Sequence, residues 1–337
     1  MTVLPFAYEI PRCTGLLKTE PSDFIVEEIL GFPLSGEGEH WYVWVEKEQL
    51  NTQDLVKLIA THLGVSPKTI TYAGLKDKQG ITRQWFCIHW LNKPIPPIES
   101  LQGIGWKVLE SQRHHKKLKI GYLQGNRFII TLKSLSHPEE ALQKLPLIKQ
   151  FGIPNYFGEQ RFGIQNQNLH RASQLLFDGK RIKDRFLEGM ALSAARSYIF
   201  NQILAHRIQK GNWREAIPGD LMMLAGTHSI FSPAIDEAET MQARINRFDI
   251  SPVAPLWGSG ELKIKQDAFN LLQDAVKPIE GWCHALAKLK LTVDYRPLIL
   301  QASDLEWQCK GSMIRLSFAL PAGAYATVLV RELIQTT

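Results

Sequence analysis

The residues with the clearest chemical potential form the run Ala73-Gly74-Leu75-Lys76-Asp77-Lys78-Gln79-Gly80-Ile81-Thr82-Arg83-Gln84-Trp85. A single carboxylate, Asp77, stands among Lys76, Lys78 and Arg83, and neighbouring cations favour its ionised form. With an ordinary pKa near ~3.9 it is already charged at neutral pH. On a rigid scaffold such a group can act as nucleophile or base without a raised pKa. The plainer alternative is a hairpin loop in which Asp77 caps a turn and the lysines are solvated. A second segment, RHHKKLKIGYLQGNRF (113–128), sets clustered cations beside Tyr122 and Phe128. That composition suits phosphate contact with base stacking, or equally a solvated strand–turn–strand face. No acidic residue lies between Glu110 and Glu139, a window that holds Arg113, Lys116, Lys117, Lys119, Arg127 and Lys133. A third segment, PNYFGEQRFG (154–163), is poor helix and poor strand and reads as a shaped loop, either a functional surface or a domain junction. A fourth, Lys18 with PSDFIVEE (21–28), reads on its own as the start of a strand.

These residues need elements to position them. HWYVWVEK (40–47) alternates in the manner of a strand. The following LNTQDLVKLIATHLGV places Leu55, Leu58, Ile59 and Leu63 on one helical face, with Asn51 or Thr52 to cap it and Gly64 to close it. Residues 70–75 and 84–90 are aromatic or β-branched around a polar middle, which predicts strand–loop–strand. Residues 120–133 predict another strand after a Gly-Asn turn. A long helix is predicted from Asp184 to Gly211, with Ala191, Ala194, Ala195, Tyr198, Ile199 and Ile203 as its packing stripe. Residues 252–260 (PVAPLWGSG) read as loop, 262–290 as helix, MIRLSFAL as strand and AYATVLVRELI as a closing helix. A strand-rich head, a helix-rich middle and a strand–helix tail suggest that the tail rejoins the head's sheet around an inserted domain.

The chain has 337 residues, a formal charge of +6 and 45% hydrophobic residues, so large-scale disorder is excluded and roughly two domains are expected. Cys13, Cys87, Cys283 and Cys309 make no CxxC pair, and Cys87 reads as core. His114 and His115 are adjacent, so on a strand they face apart, which argues against a metal site. No phosphate-cradling GxxxxGK[ST], dinucleotide GxGxxG, HExxH or GxSxG motif occurs, nor a glycine-rich S-adenosylmethionine loop. Neither a signal peptide nor an apolar span of membrane length is visible. Any chemistry is therefore expected to run on ordinary side chains, without a cofactor or metal, in the cytoplasm.

Six stretches together resemble the TruD family of RNA pseudouridine synthases. They are KTEPSDFIVEE (18–28), SGEGEHWYVWVEK (35–47), AGLKDKQGITRQW (73–85), GNRFII (125–130), NYFGEQRFG (155–163) and SFALPAGAYATVLVREL (317–333). The resemblance implies an α+β pseudouridine synthase fold, a mixed and mostly antiparallel sheet flanked by helices, with an inserted and largely helical domain. Residues 1–155 plus 304–337 would form the catalytic domain and 156–303 the insertion. It implies isomerisation of uridine 13 to pseudouridine in tRNA, with Asp77 as the catalytic carboxylate. Phe24, Asn126, Phe128 and Phe318 carry over as substrate contacts. Relatives often have His after the second lysine where this chain has Gln79, so no acid–base role is expected there. Lys18 and Lys76 are both candidates for the basic partner of Asp77. The implied partner is tRNA, with no membrane and no obligate protein partner.

The chemistry agrees with this resemblance. Moving uracil from an N1–C1′ to a C5–C1′ bond needs no redox change and no energy source. The leaving group stays bound and re-attacks, so no water needs activation and one carboxylate suffices in place of a glycosidase pair. Addition of Asp77 to C1′ and removal of a sugar proton to give a glycal remain alternatives. The uridine must leave its stack at a cost of a few kcal/mol, and aromatic stacking worth about 1–3 kcal/mol per base offsets part of this. A non-catalytic tRNA-binding protein and another RNA-modifying enzyme, such as a methyltransferase, are the competing readings.

Overall fold

The computed structural model describes residues 3–76, 80–91, 93–234 and 237–337. In chain order the strands of the first half are β1 (Thr14–Leu17), β2 (Phe24–Leu30), β3 (His40–Glu48), β4 (Ile70–Tyr72), β5 (Ile81–His89), β6 (Gln102–Gly103), β7 (Trp106–His114) and β8 (Leu123–Lys133), with helix α1 (Thr52–Leu63) after β3. Then come α2 (Pro138–Phe151), β9 (Ile153–Pro154), α3 (Gln167–Leu176), α4 (Arg185–Gln209), β10 (Met222–Leu224), β11 (Ile230–Phe231), α5 (Ala238–Asn246) and β12 (Ile250–Leu256). The chain continues through α6 (Gln266–Val276), α7 (Glu280–Ala287), β13 (Asp294–Pro297), β14 (Ile299–Leu300), β15 (Ser303–Lys310), β16 (Met313–Pro321), α8 (Ala326–Leu333) and β17 (Gln335–Thr336).

Chain contacts divide the molecule into two compact units. One comprises Pro11–Gln143, Ala302–Gly323 and Ile334–Thr337; the other comprises Met1–Ile10, Lys144–Gln301 and Ala324–Leu333. The first is built on a sheet of eleven strands whose main order is β15-β16-β8-β2-β5-β3-β7-β6. Most pairs are antiparallel; β2–β5 and β1–β17 are parallel. The tail strands β15 and β16 thus join the head's sheet through β8.

The period-2 pattern explains the two faces of this sheet. Trp41, Val43 and Val45 of β3 point to one side with Phe86 and Ile88 of β5, and Leu55, Val56, Ile59 and Ala60 of α1 pack against them. Of the expected face, Leu55 and Ile59 are buried and Leu63 packs at the edge of the cluster, but Leu58 is exposed and Val56 and Ala60 take the inward positions instead. Gly64 closes α1 in the left-handed conformation, φ 63°. Tyr42, Trp85 and Cys87 face the opposite side with Ala73 and Leu118. One expectation for β8 fails: Gly125 and Asn126 lie inside the strand, not in a turn before it. Partners flank both residues, with β2 on one side and β16 on the other. Pairing on both edges outweighs the local preference of Gly-Asn for a turn.

In the other unit, α4 buries Ala191, Ala194, Ala195, Ile199 and Ile203, while Tyr198 is half-buried. Asp184 caps the helix, its carboxylate accepting from the backbone N–H of Phe186 at 2.8 Å. The stretch 262–290 is interrupted at Lys277–Ile279, where Pro278 starts a new turn instead of continuing α6. Residues 252–256, expected as loop, belong to β12 in a four-stranded sheet ordered β11-β10-β12-β13. The prolines fit because β10 pairs only with residues 250–252, so the β10-side edge is unpaired at Pro255, and the Pro252 carbonyl still accepts from Leu298 N–H at 2.9 Å. Among the described residues, no helix is long and apolar enough to cross a membrane.

Candidate active site

Register across three neighbouring strands assembles the site. Val26 of β2, Phe128 of β8 and Phe318 of β16 lie opposite one another in successive pairs. Two residues further along, Glu28, Asn126 and Leu320 do the same. Because side chains alternate, Phe24, Glu28, Asn126, Phe128 and Phe318 share one face. The Phe24 and Phe128 rings meet edge to face at 6.3 Å, and Phe128 stacks on Phe318 at 5.6 Å with an interplanar angle of 25°. Phe24 and Phe128 retain a small exposure of 5% and 7%, whereas Phe318 is fully enclosed. Phe318 therefore backs the ring of Phe128. The half-buried Asn126 carries a buried Oδ1 with no hydrogen-bond donor among the described residues. An unpaired buried acceptor is costly unless a ligand donates to it.

Asp77, with Lys78 and Gln79, lies outside the described residues. The chain on either side is closely fixed. Lys76 N–H donates to Thr52 Oγ1 at 3.0 Å, and that hydroxyl donates to Gln84 Oε1 at 3.0 Å. The Lys76 ammonium pairs with Glu28 Oε1 at 2.5 Å, and Glu28 Oε2 accepts from Trp85 N–H at 2.9 Å. The Glu28 side chain has no exposed surface. Burial pushes its pKa up, against the opposing pull of Lys76. Beyond the gap, Gly80 has φ 105°, and a Cβ there would stand 2.4 Å from the Phe24 carbonyl oxygen. Only glycine fits that conformation and that approach. Ile81 then pairs with Ile25 and enters β5.

Two of the cations flanking Asp77 in sequence are thus committed elsewhere. Lys76 serves Glu28. Arg83 points to the opposite face, where it bridges Glu27 and Glu46, and Lys107 joins Glu46 at 3.1 Å. Lys18 lies over the Phe24 ring with Nζ 4.1 Å from the centroid. Asp23, one residue before Phe24, anchors the start of β2. It accepts from Thr19 Oγ1 at 2.5 Å and pairs with Lys133 at 2.8 Å. Burial raises the Asp23 pKa, but the bonds from Lys133 and Thr19 outweigh it and hold the carboxyl below its usual range.

The basic window divides in the same way. The Arg113 guanidinium donates to the carbonyls of Gly38, Trp90 and Lys93, so it clamps loops. His114 stacks on Phe32 at 5.1 Å. Arg127 pairs with Asp304, and Lys133 with Asp23. Lys116, Lys117 and Lys119 remain as exposed cations, with Lys119 6.0 Å from the Tyr122 ring. Among the described residues, no group of three or more His, Cys, Asp or Glu side chains is arranged to hold a metal ion. Sequence reasoning missed the Glu28 role. The available signal was the Glu27-Glu28 pair, since adjacent strand residues face opposite sides and one carboxylate had to turn inward.

Comparison with known proteins gives a consistent picture. The family model for tRNA pseudouridine synthase D (TruD) matches residues 2–186 and 180–333. The chain is 42% identical over 331 residues to the tRNA pseudouridine synthase D of Legionella pneumophila (strain Corby), covering 98% of each chain. It is 42% identical to that of Aeromonas hydrophila, covering 98% of this chain and 94% of the relative. A solved structure described as tRNA pseudouridine synthase D (TruD), from Methanosarcina mazei, superposes with a TM-score of 0.77 at 23% identity, over 98% of this chain and 95% of that one. That likeness establishes a shared α+β fold.

Proposed function

Because the chain belongs to the tRNA pseudouridine synthase D family, whose members are isomerases, we propose that it converts uridine 13 of tRNA to pseudouridine with Asp77 as the catalytic carboxylate. The observation that carries the reading is the face on which Phe24, Asn126 and Phe128 converge, next to a segment whose ends at Lys76 and Gly80 are both anchored. Phe24 and Phe128 supply stacking surface for the flipped uracil, and Phe318 supports Phe128 from behind. The unpaired Asn126 Oδ1 accepts from the uracil N3–H.

Lys18, with its ammonium over the Phe24 ring, and Lys76, paired with Glu28, are the two candidate basic partners of Asp77. The chain's own side chains then provide stacking, base-edge recognition and a carboxylate. In this reading residues 1–155 plus 304–337 form the catalytic domain, 156–303 form the insertion, tRNA is the partner and the cytoplasm is the place of action. Replacing Asp77 by Asn tests the assignment. The variant should bind tRNA and form no pseudouridine when modified positions are mapped in tRNA incubated with wild type and variant. Full turnover by the variant would remove Asp77 from the chemistry.

A further inference from the structure

The segment 154–163 takes no part in the uridine site as described, yet it builds an arrangement of its own in the second compact unit. Phe157 is enclosed, and two guanidinium groups lie over its ring, Arg161 at 5.2 Å and Arg296 at 4.0 Å from the centroid. Arg161 is half-buried. Its Nε donates to the Tyr325 hydroxyl at 2.9 Å and its Nη1 to Ser193 Oγ at 3.1 Å. Both acceptors are neutral, and among the described residues no carboxylate pairs with Arg161. A guanidinium has five N–H donors, so most remain available. The Arg161 backbone is fixed as well, its carbonyl accepting from Asn168 Nδ2 at 3.3 Å. Gly158 lets Tyr325 come close, since a Cβ there would lie 3.0 Å from the Tyr325 ring.

Arg296 donates to the Asn155 carbonyl at 3.1 Å and to Asn155 Oδ1 at 2.5 Å. Burial pushes its pKa down to about 10, and the nearby Arg161 charge acts in the same direction. Two like charges share one aromatic ring. A half-buried cation satisfied only by hydroxyls costs desolvation energy that an anion would offset. A fixed fork with free donors is the geometry that binds a phosphate in a bidentate manner.

We propose that Arg161 is a backbone-phosphate anchor for the tRNA substrate, oriented by Tyr325, Ser193 and Phe157. This rests on the reading of the chain as a tRNA-modifying enzyme. A contact of this kind carries no sequence information but fixes the position of the RNA on the protein.

The test is equilibrium binding of unmodified tRNA to the full chain across a potassium chloride series. R161Q should weaken binding several-fold and reduce the slope of log K against log salt by about one, whereas R161K should keep the slope. A purely structural arginine would lower the melting temperature and leave the slope unchanged, and that result overturns the proposal. If R161Q fails to fold, the wild type carries the test. Phenylglyoxal modification of Arg161, read by mass spectrometry, should be slowed by saturating tRNA, and equal rates with and without tRNA also overturn it. The two readings fail separately. A wild type that forms pseudouridine but shows no effect at Arg161 refutes only the anchor. A wild type that binds tRNA through Arg161 but forms no pseudouridine refutes only the catalytic assignment.

Discussion

Replacing Glu28 by Gln tests the link between the buried ion pair and the segment that carries Asp77. The Glu28 side chain is fully enclosed and Lys76 is 10% exposed, with 2.5 Å between the charged atoms. Breaking a buried pair by removing one partner costs about 3–5 kcal/mol when the remaining charge stays dry. Two features moderate this here. Glutamine keeps an oxygen for the Trp85 N–H, and the residual exposure of Lys76 gives its ammonium some access to water. The expected loss is therefore about 2–3 kcal/mol. At roughly 2–4 °C per kcal/mol for a domain of 150–250 residues, the melting temperature should fall by about 4–12 °C. Pseudouridine formation should fall as well, because the displaced Lys76 is the immediate neighbour of Asp77. The double variant E28Q/K76M removes both charges and should recover a large part of the stability, so the two substitutions are non-additive. Thermal unfolding followed by circular dichroism measures all four species. A melting temperature for E28Q indistinguishable from wild type, or a double variant that simply sums the two losses, would refute the reasoning.

Gly80→Ala places a Cβ against the Phe24 carbonyl in a conformation that alanine avoids, so it should lower both stability and turnover, by more than about 1 kcal/mol in unfolding free energy. Urea unfolding monitored by fluorescence checks this. Reversing Lys116 and Lys117 to Glu should weaken tRNA binding and flatten its salt dependence by about two in slope, and an unchanged slope would place both lysines off the interface. Asp23 makes stability pH-dependent. Its folded-state pKa lies below the unfolded value, so its stabilising contribution is complete above about pH 4 and is lost as pH falls through the folded value. Comparing urea midpoints of wild type and Asp23→Asn from neutral to acid pH should show the difference between them shrinking below about pH 4.

Local chemistry made most single elements legible. Alternation in 40–48, the apolar face of 52–63 and the Asp184 cap each state their structure within a few residues. Proline misleads where its reading depends on distant partners. Pro252 and Pro255 look like breakers, and only the neighbours of β12 decide which of its N–H groups the sheet needs. The site is harder for the same reason. Phe128 and Phe318 are 190 positions apart in sequence and stacked in space because β16 returns beside β8, and nothing local to either phenylalanine specifies that pairing. The two readings of Lys76 diverge on this point too. In sequence it is a cation beside Asp77; in the folded sheet it answers a carboxylate 48 positions away. Proximity in sequence suggests one acid for this lysine, and the fold gives it a second in Glu28. A charge in a catalytic motif is available for chemistry only when the fold has not already paired it. By that criterion Lys76, paired with Glu28, and Arg83, paired with Glu27 and Glu46, serve the scaffold.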